Sequence, residues 1–477
     1  MAQIQAINVY IPYYRLKYEN VGKAWHQGAG PGERSVANLD EDSLTMGVAA
    51  AHGLLDQTQA GSLDALYFAT TTPPYTIKQS AAQIACVLGL PESAVTMDFG
   101  GSFRAGTGAL MAAADAVNSG RAHKVLVVVS DSRIAMPASP DEIVYGDAAC
   151  AILIGPGDGG LFVKAMESRN SALLDRWQRA EDKYAVSWED RFVNLEGYQR
   201  DVVRTVSALM AHAEIKTRDV TKFIFSAHDF RNPVAAAKTL GADPKQQLAD
   251  TLLTRIGYAG AAGVLIALYG AVTSASPGDR FIMASHGDGC DALLLEIGDK
   301  IGSVCQGLSL AEQLAAKSEI SYVDYLRFRN VLANQVTDQP EGTSSAPLIW
   351  REKKAVWRLV AHRCRKCNTV HYPMERICYK CRSKDDFDEV PLSHESGALF
   401  TYTKDFLFQG GDPPQVMAVV ESKDGCRLYL QMTDRDPEAV YLGMPLVFTF
   451  RKIHEGAGFH NYFWKCRPAR TENPKGK

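Results

Sequence analysis

The segment VTMDFGGSFRAGTGALMAAADAVN, Val95–Asn118, decides the fold. A short apolar run reaches Asp98 and the chain turns through Gly100 and Gly101. A segment rich in Ala, Leu and Met at helical spacing follows, and then KVLVVVS, Lys124–Ser130, as a pure strand. The order is strand, tight turn, helix, strand. Glycines let the backbone bend where a Cβ would clash. The residue at the apex stands at a helix N-terminus, where free N–H groups and the positive end of the dipole stabilise an anion. This is the construction of a nucleophile elbow, whose apex should carry Ser or Cys; here the candidates are Ser102 and Phe103.

On the N-terminal side, residues 3–11 read as a strand, 42–56 as an amphipathic helix entered from acidic residues, 63–70 as a strand and 78–89 as a helix. Asp141–Ile154 is a turn feeding a buried strand. A second cycle of similar order follows. It has a long helix over 196–213, a strand over 222–227 ending at His228, helices over 233–240 and 259–275, and strands over 280–285 and 292–297. Strands alternating with helices imply a layered α/β architecture, and the two cycles imply a structural duplication. Helices over 308–334 close this part, and TDQPEGTSSAP, Thr337–Pro347, reads as a linker.

Composition changes after the linker. From Trp350 to Lys384 there are eleven Lys and Arg against two Glu. Cys364-x2-Cys367 and Cys378-x2-Cys381, ten residues apart, form two knuckles that place four thiolates around Zn²⁺. With no open position the site is structural; iron uses the same ligands. Short strands in series then suggest a small barrel. The expected organisation is 1–160 and 161–336 as the two α/β halves, 337–349 as linker, 350–390 as the metal-binding segment with its basic flank and 391–477 as a small β-barrel.

The chain has 477 residues, 46% hydrophobic and 22% charged, with a net charge of −3. Two or three domains are expected. No apolar run is long enough to span a bilayer and no signal peptide is read at the N-terminus. The other cysteines, Cys86, Cys150, Cys290, Cys305, Cys426 and Cys466, are scattered, which suits a reducing cytoplasm.

Three segments carry a resemblance to the thiolase superfamily, in its hydroxymethylglutaryl-CoA synthase and ketoacyl synthase III branch. They are ATTTPPYTIK (Ala69–Lys78), DFGGSFRAGTGAL (Asp98–Leu110) and PGDRFIMASHGDGCDA (Pro277–Ala292). The resemblance spans about the first 335 residues and implies a duplicated α/β/α/β/α fold and a homodimer. The C-terminal part resembles the zinc-ribbon and OB-fold module that accompanies many thiolase-like enzymes and binds acyl-CoA.

The resemblance also assigns roles. Phe103 stands where the family has its nucleophilic Cys, Thr71 where it has the catalytic Glu, and Tyr258 where it often has Asn; His228, in FSAHDFRNP, matches the family histidine. His titrates near neutrality and can shuttle a proton. Tyr258 is an acid–base group or a packing residue. Ser102 is a rival acyl carrier or the N-cap of the elbow helix. Thr71, Tyr75, Arg104, Gly257, Gly287 and Gly289 are expected to meet substrate, while His286 and Asp288 carry little weight.

Three functions follow from these assignments: an acyl-CoA enzyme that makes or breaks a C–C bond without a Cys nucleophile, an acyltransferase or synthase using Ser102 or another residue as acyl carrier, and a non-catalytic acyl-CoA-binding subunit. The basic flank (Arg351, Lys353, Lys354, Arg358, Arg363, Arg365, Lys366) could neutralise coenzyme A phosphates or bind nucleic acid. Fusion to an acyl-CoA fold favours the first of these.

Overall fold

A computed structural model describes residues 1–55, 57–157, 159–332, 345–407 and 412–470. The chain forms two units. The first comprises Met1–Ala37, Asp42–Ala85 and Leu90–Tyr322, the second Asn38–Glu41, Cys86–Gly89 and Val323–Lys477. Among the described residues no helix is long and apolar enough to cross a membrane.

One nine-stranded mixed sheet organises the first unit. Its order is Lys222–Phe225, Arg280–His286, Gly289–Ile297, Leu161–Asn170, Ala2–Tyr10, Ala148–Pro156, Val125–Asp131, Ala65–Ala69, Val95–Phe99. Counting strands from the start of each half, the N-terminal five run 3-2-4-5-1 from the edge inward. The C-terminal four run 2-4-5-1, and the place of the third holds a single parallel bridge, Phe223 to Leu248. Pairing repeats as well: 2 with 4 is parallel, and 4 with 5 and 5 with 1 are antiparallel in both halves. The first strands of the halves meet antiparallel at the centre. The duplication expected from the order of elements is thus a duplication of topology.

Apolar residues cover both faces of this sheet, which is why Val125–Asp131 reads as a continuous apolar run. Val125, Val127 and Val129 face the cluster that includes the elbow helix Ala105–Asn118 and the helix Gly263–Val272. On the opposite face Val128 and Phe68 press on Gly47 of helix Ser43–His52, leaving about 3 Å for a Cβ there. That helix starts at a capping box between Asp42 and Thr45. Eight of its ten residues are buried, so it is a core helix rather than the amphipathic one expected.

Other boundaries shift. The long helix begins earlier, as a π-helix over Val193–Gln199 that runs into an α-helix over Arg200–His212. Residues 337–344 of the expected linker lie outside the described residues. Its last residues, Ala346 and Pro347, open a helix, Ala346–Arg351, capped by Ser345.

The second unit contains a three-stranded ribbon, Val370–His371, Val360–Cys364 and Phe387–Pro391, and a closed five-stranded barrel. Strands Gln415–Ser422 and Arg427–Met432 alternate buried and outward residues, the period of two that a filled barrel requires. The unit also holds a buried ionic cluster. Arg451 pairs with Asp40 at 3.1 Å, Glu41 at 2.7 Å and Asp434 at 2.6 Å, and Lys465 pairs with Asp40 at 2.8 Å. Burial works to raise the Asp40 pKa, but Lys465 and Arg451 outweigh it and hold the carboxyl down at about 2.

Removing the guanidinium would leave buried carboxylates without their main partner, at a cost of about 3–5 kcal/mol. Arg451→Ala is therefore expected to unfold the second unit at a lower urea concentration than wild type. Because the folded pKa of Asp40 lies below the unfolded value, its contribution is present above about pH 4 and is lost as pH falls through about 2. Urea midpoints measured across that range should show this loss in wild type and a shallower one in Asp40→Asn.

Candidate active site and metal centre

The elbow forms where the sequence places it. Strand Val95–Phe99 ends at Gly100; Gly101 takes a left-handed φ of +76°, and the helix starts at Ala105. Gly287 of the second half lies against this turn. A Cβ there would stand 2.8 Å from Ser102 Oγ, 3.0 Å from the Phe103 nitrogen and 3.2 Å from the Arg104 nitrogen. The glycine-rich turn is therefore pressed onto the elbow backbone, and a side chain at 287 would force the two apart by a few tenths of an ångström.

Ser102 does not cap the helix as expected. The N-cap is Arg104, with no side-chain cap bond, and Ser102 Oγ reaches only the Arg104 N–H, at 3.5 Å. Among the described residues that hydroxyl meets no histidine or carboxylate. Arg104, expected at the substrate, has its guanidinium spent on the second half: it donates to Ser168 Oγ, the carbonyls of Arg169 and Asp288, and Asp291 Oδ1 at 2.9 Å. Gly257 and Gly289, also expected at the substrate, serve backbone packing. Both have positive φ, and a Cβ would approach Val144 O to 2.8 Å and Arg169 O to 2.0 Å, respectively.

Phe103 is half-buried and turned toward His228 and Tyr258, with ring centroids 5.4 and 5.7 Å away. The rings of His228 and Tyr258 are 3.9 Å apart, and Tyr145 lies 6.1 and 6.4 Å from them. Tyr258 is held through its backbone: its N–H donates to Val144 O, and its carbonyl accepts from the Gly146 N–H.

The His228 Nε2 is buried with no hydrogen-bond partner. Burial, then the charges of Arg176, His286 and Arg133, keep its pKa well below the ordinary histidine value, so the imidazole is neutral near pH 7. Burial raises the Tyr258 phenol well above its usual range, which makes it an O–H donor. Tyr145 is pushed up to about 12 by burial, and its hydroxyl accepts from Arg176, which also pairs with Asp141 at 2.6 Å.

Thr71, where the family's acid–base Glu is expected, belongs to a polar chain. Its hydroxyl donates to Asp131 Oδ2 at 2.8 Å and accepts from Arg133 Nη2. Asp131 is buried and also accepts from Thr70 Oγ1, Thr71 N, Thr72 Oγ1 and Ala261 N. Tyr75 is half-buried on the following loop. His286 stands 3.9 Å from both Asp175 and Asp201, and Asp288 takes a positive φ in the glycine-rich turn.

Sequence reasoning missed Asp131, Arg133, Tyr145 and Arg176. The first two had a signal, since charged residues directly after a buried parallel strand stand at the carboxyl end where α/β folds place ligands. The first unit offers no activated thiol at the elbow: Cys150 and Cys290 are pushed up by burial, and Cys305 rises to about 11.

In the second unit the four predicted cysteines converge, their sulfurs all within 4.8 Å of one another. Cys364 and Cys381 are 3.6 Å apart and Cys367 and Cys378 3.5 Å, close to the roughly 3.8 Å edge of a tetrahedron with Zn–S of about 2.3 Å. Each knuckle turns through a residue with positive φ, Asn368 or Arg382, whose N–H returns to the carbonyl of Cys364 or Cys378. The donor set fits zinc or iron. Part of the basic flank is already neutralised: Lys354 pairs with Glu389, Arg363 with Asp424 and Arg365 with Asp388.

The duplicated sheet, the elbow and the apposed glycine-rich turn define a thiolase-like α/β protein. Residues 210–297 match the family described as 3-oxoacyl-[acyl-carrier-protein (ACP)] synthase III C terminal. Hydroxymethylglutaryl-CoA synthase of Aeropyrum pernix is 30% identical over 345 residues, covering 69% of this chain and 95% of that protein. The synthase of the same name from Pyrococcus furiosus is 28% identical over 335 residues, 69% of this chain and 93% of that one. A crystal structure of HMG-CoA synthase complexed with CoA matches with a TM-score of 0.65 at 16% identity over 72% of this chain and 94% of the other. The 3-oxoacyl-[acyl-carrier-protein] synthase III of Aquifex aeolicus VF5 matches at 0.56 and 20% identity over 62% and 100%. The chain belongs to the hydroxymethylglutaryl-CoA synthase family.

Metal analysis of the purified chain is expected to find about one zinc or iron per molecule, lost on Cys364→Ser or Cys378→Ser. Chelation should expose the ribbon to protease, because a closed four-thiolate site contributes directly to folding. A metal content unaffected by either substitution would remove the site.

Proposed function

We propose that the protein is an acyl-CoA enzyme acting on the C–C bond next to the thioester, of aldol or Claisen type, with no Cys nucleophile and with His228 as proton shuttle. One observation carries this reading: the ring of Phe103 occupies the elbow and faces His228 and Tyr258, where a thiol would have to stand to form an acyl-enzyme. The names of the relatives and the CoA-bound neighbour support the substrate class.

In the cleavage direction, neutral His228 Nε2 takes the proton from a 3-hydroxyl group. The bond between C2 and C3 breaks, C3 leaves as a carbonyl, and the electron pair passes into the thioester enolate. Protonation at C2 completes a shorter acyl-CoA. The Tyr258 phenol is the available donor, and the elbow N–H groups face the developing oxyanion. Synthesis is the same sequence reversed. An acyltransferase working through Ser102 has less support, because no base stands beside that hydroxyl.

The four-cysteine site, when loaded, cross-links the ribbon and has no part in these steps. The open edge strand Val95–Phe99, with Val95 and Met97 exposed, supports the expected homodimer. Ten free cysteines are in keeping with a reducing cytoplasm. The paired charges of the ribbon flank argue against a nucleic-acid partner.

Intact mass spectrometry after incubation with acetyl-CoA should find no acyl adduct on wild type and a new thioester on Phe103→Cys. Across a panel of 3-hydroxyacyl-CoA substrates, His228→Ala should lower kcat/KM by about a hundredfold or more. Since the folded pKa of His228 is depressed, its base form persists below the ordinary histidine range, and the acid limb of kcat/KM should fall below about pH 6.5. A stable adduct on wild-type Ser102 would defeat the reading.

A further inference from the structure

We propose that Arg133 recognises a carboxylate carried on the acyl chain and so sets specificity for carboxyacyl thioesters over uncharged ones of equal length. This rests on the acyl-CoA reading of the same site and names the substrate class within it.

Of Arg104, Arg133 and Arg176, two have a carboxylate partner: Arg104 pairs with Asp291 at 2.9 Å and Arg176 with Asp141 at 2.6 Å. Arg133 differs. It is only 7% exposed, yet among the described residues no carboxylate lies within ion-pair distance of it. Its Nη1 donates to the Gln178 amide oxygen at 3.0 Å, and its Nη2 to the Thr71 carbonyl at 3.1 Å and the Thr71 hydroxyl. The Nε–H is buried with no acceptor. The guanidinium carbon stands 5.0 Å from the centroid of the Phe103 ring. Every contact is neutral, and Asp131 reaches it only through the Thr71 hydroxyl.

A buried guanidinium without a counter-ion is costly, and one partner removed from a buried pair costs more than the pair contributes. The cation–π contact with Phe103 holds the group in place without neutralising it. An anion that arrives with the ligand would supply the missing charge; with both N–H groups of Nη2 taken by Thr71, the second N–H of Nη1 is the one left to meet a carboxylate oxygen. The location fits: Phe103 marks the elbow, so a short acyl chain whose thioester lies at the elbow can bring its far end to Arg133. The same charge helps depress the basicity of His228, so a substrate carboxylate on Arg133 would also make the shuttle a stronger base.

An enolate oxyanion formed from the thioester has related chemistry, and the test separates the two. Calorimetric titration of the full chain compares glutaryl-CoA with valeryl-CoA, which have the same carbon count and differ in the terminal carboxylate. Wild type is expected to bind glutaryl-CoA about tenfold more tightly. Arg133→Gln should bring the two within about twofold by weakening glutaryl-CoA more than valeryl-CoA, and Arg133→Lys should keep part of the preference.

Equal affinities in wild type, a measurement that needs no variant, overturn the proposal. So does a preference that survives Arg133→Gln. A variant that weakens both esters alike assigns Arg133 to the thioester or to the fold and likewise overturns it. If wild type binds neither ester, the acyl-CoA reading falls and this proposal with it; valeryl-CoA bound without a glutaryl preference removes the proposal alone.

Discussion

The carboxylate of Asp131 is the constraint on which the site depends. It ends an interior strand of the sheet, is fully buried, and takes donors from Thr70, Thr71 and Thr72 of one half and from the Ala261 N–H of the other. Hydrogen bonds to a charged group are worth about 1.5–3 kcal/mol each, and leaving such a group unsatisfied costs at least as much. The two turns therefore have one relative position. Gly260 shows how tight it is, since a Cβ would stand 2.0 Å from Asp131 Oδ2. Tyr258 lies two residues before Gly260 and Thr71 two residues after the strand Ala65–Ala69, so both are set by the same carboxylate. Its partner constraint is the contact of Gly287 with the elbow, clamped by Arg104.

Within that frame the chemistry is set by what the apex residue cannot do. A benzene ring forms no thioester, so on the proposed reading the acyl group stays on its carrier. The remaining groups are suited to that: an imidazole kept neutral by burial and neighbouring guanidinium groups, and a phenol kept protonated by burial. A buried neutral base and a buried neutral donor can move protons without creating a permanent charge pair. Cys150 and Cys290 of the same unit are held as thiols inside the sheet, which is consistent with a structural use of sulfur there.

Much of this was legible in the chain because it rests on local pattern. Apolar runs bounded by glycines predicted the strands, the repeated order of elements predicted the duplicated sheet, and the spacing of four cysteines predicted their convergence. What was not legible depends on long-range assembly. The helix Ser43–His52 looked two-faced because its polar positions are small Ser and Thr residues, which pack inside when their hydroxyls find partners. Arg104 and the glycines at 257 and 289 looked like ligand contacts, since sequence shows a residue's type but not which distant carbonyl takes up its capacity. Tyr145 and Arg176 belong to segments with no motif and reach the site only through tertiary packing.

The two buried ionic groupings show how an absence of charge can be read. Around Asp40, cations and carboxylates answer one another: Arg451, Lys465 and Arg470 against Asp40, Glu41 and Asp434. That cluster is complete within the protein, and its consequences concern stability. At the elbow, Arg133 is buried to a similar degree and meets only neutral acceptors and a ring. Burial alone cannot explain the difference, since the chain supplies carboxylates to Arg104 and Arg176 of the same unit. A folded chain tolerates an uncompensated charge where compensation arrives from outside, which makes Arg133 the point at which the protein's own electrostatics are left for a ligand to complete.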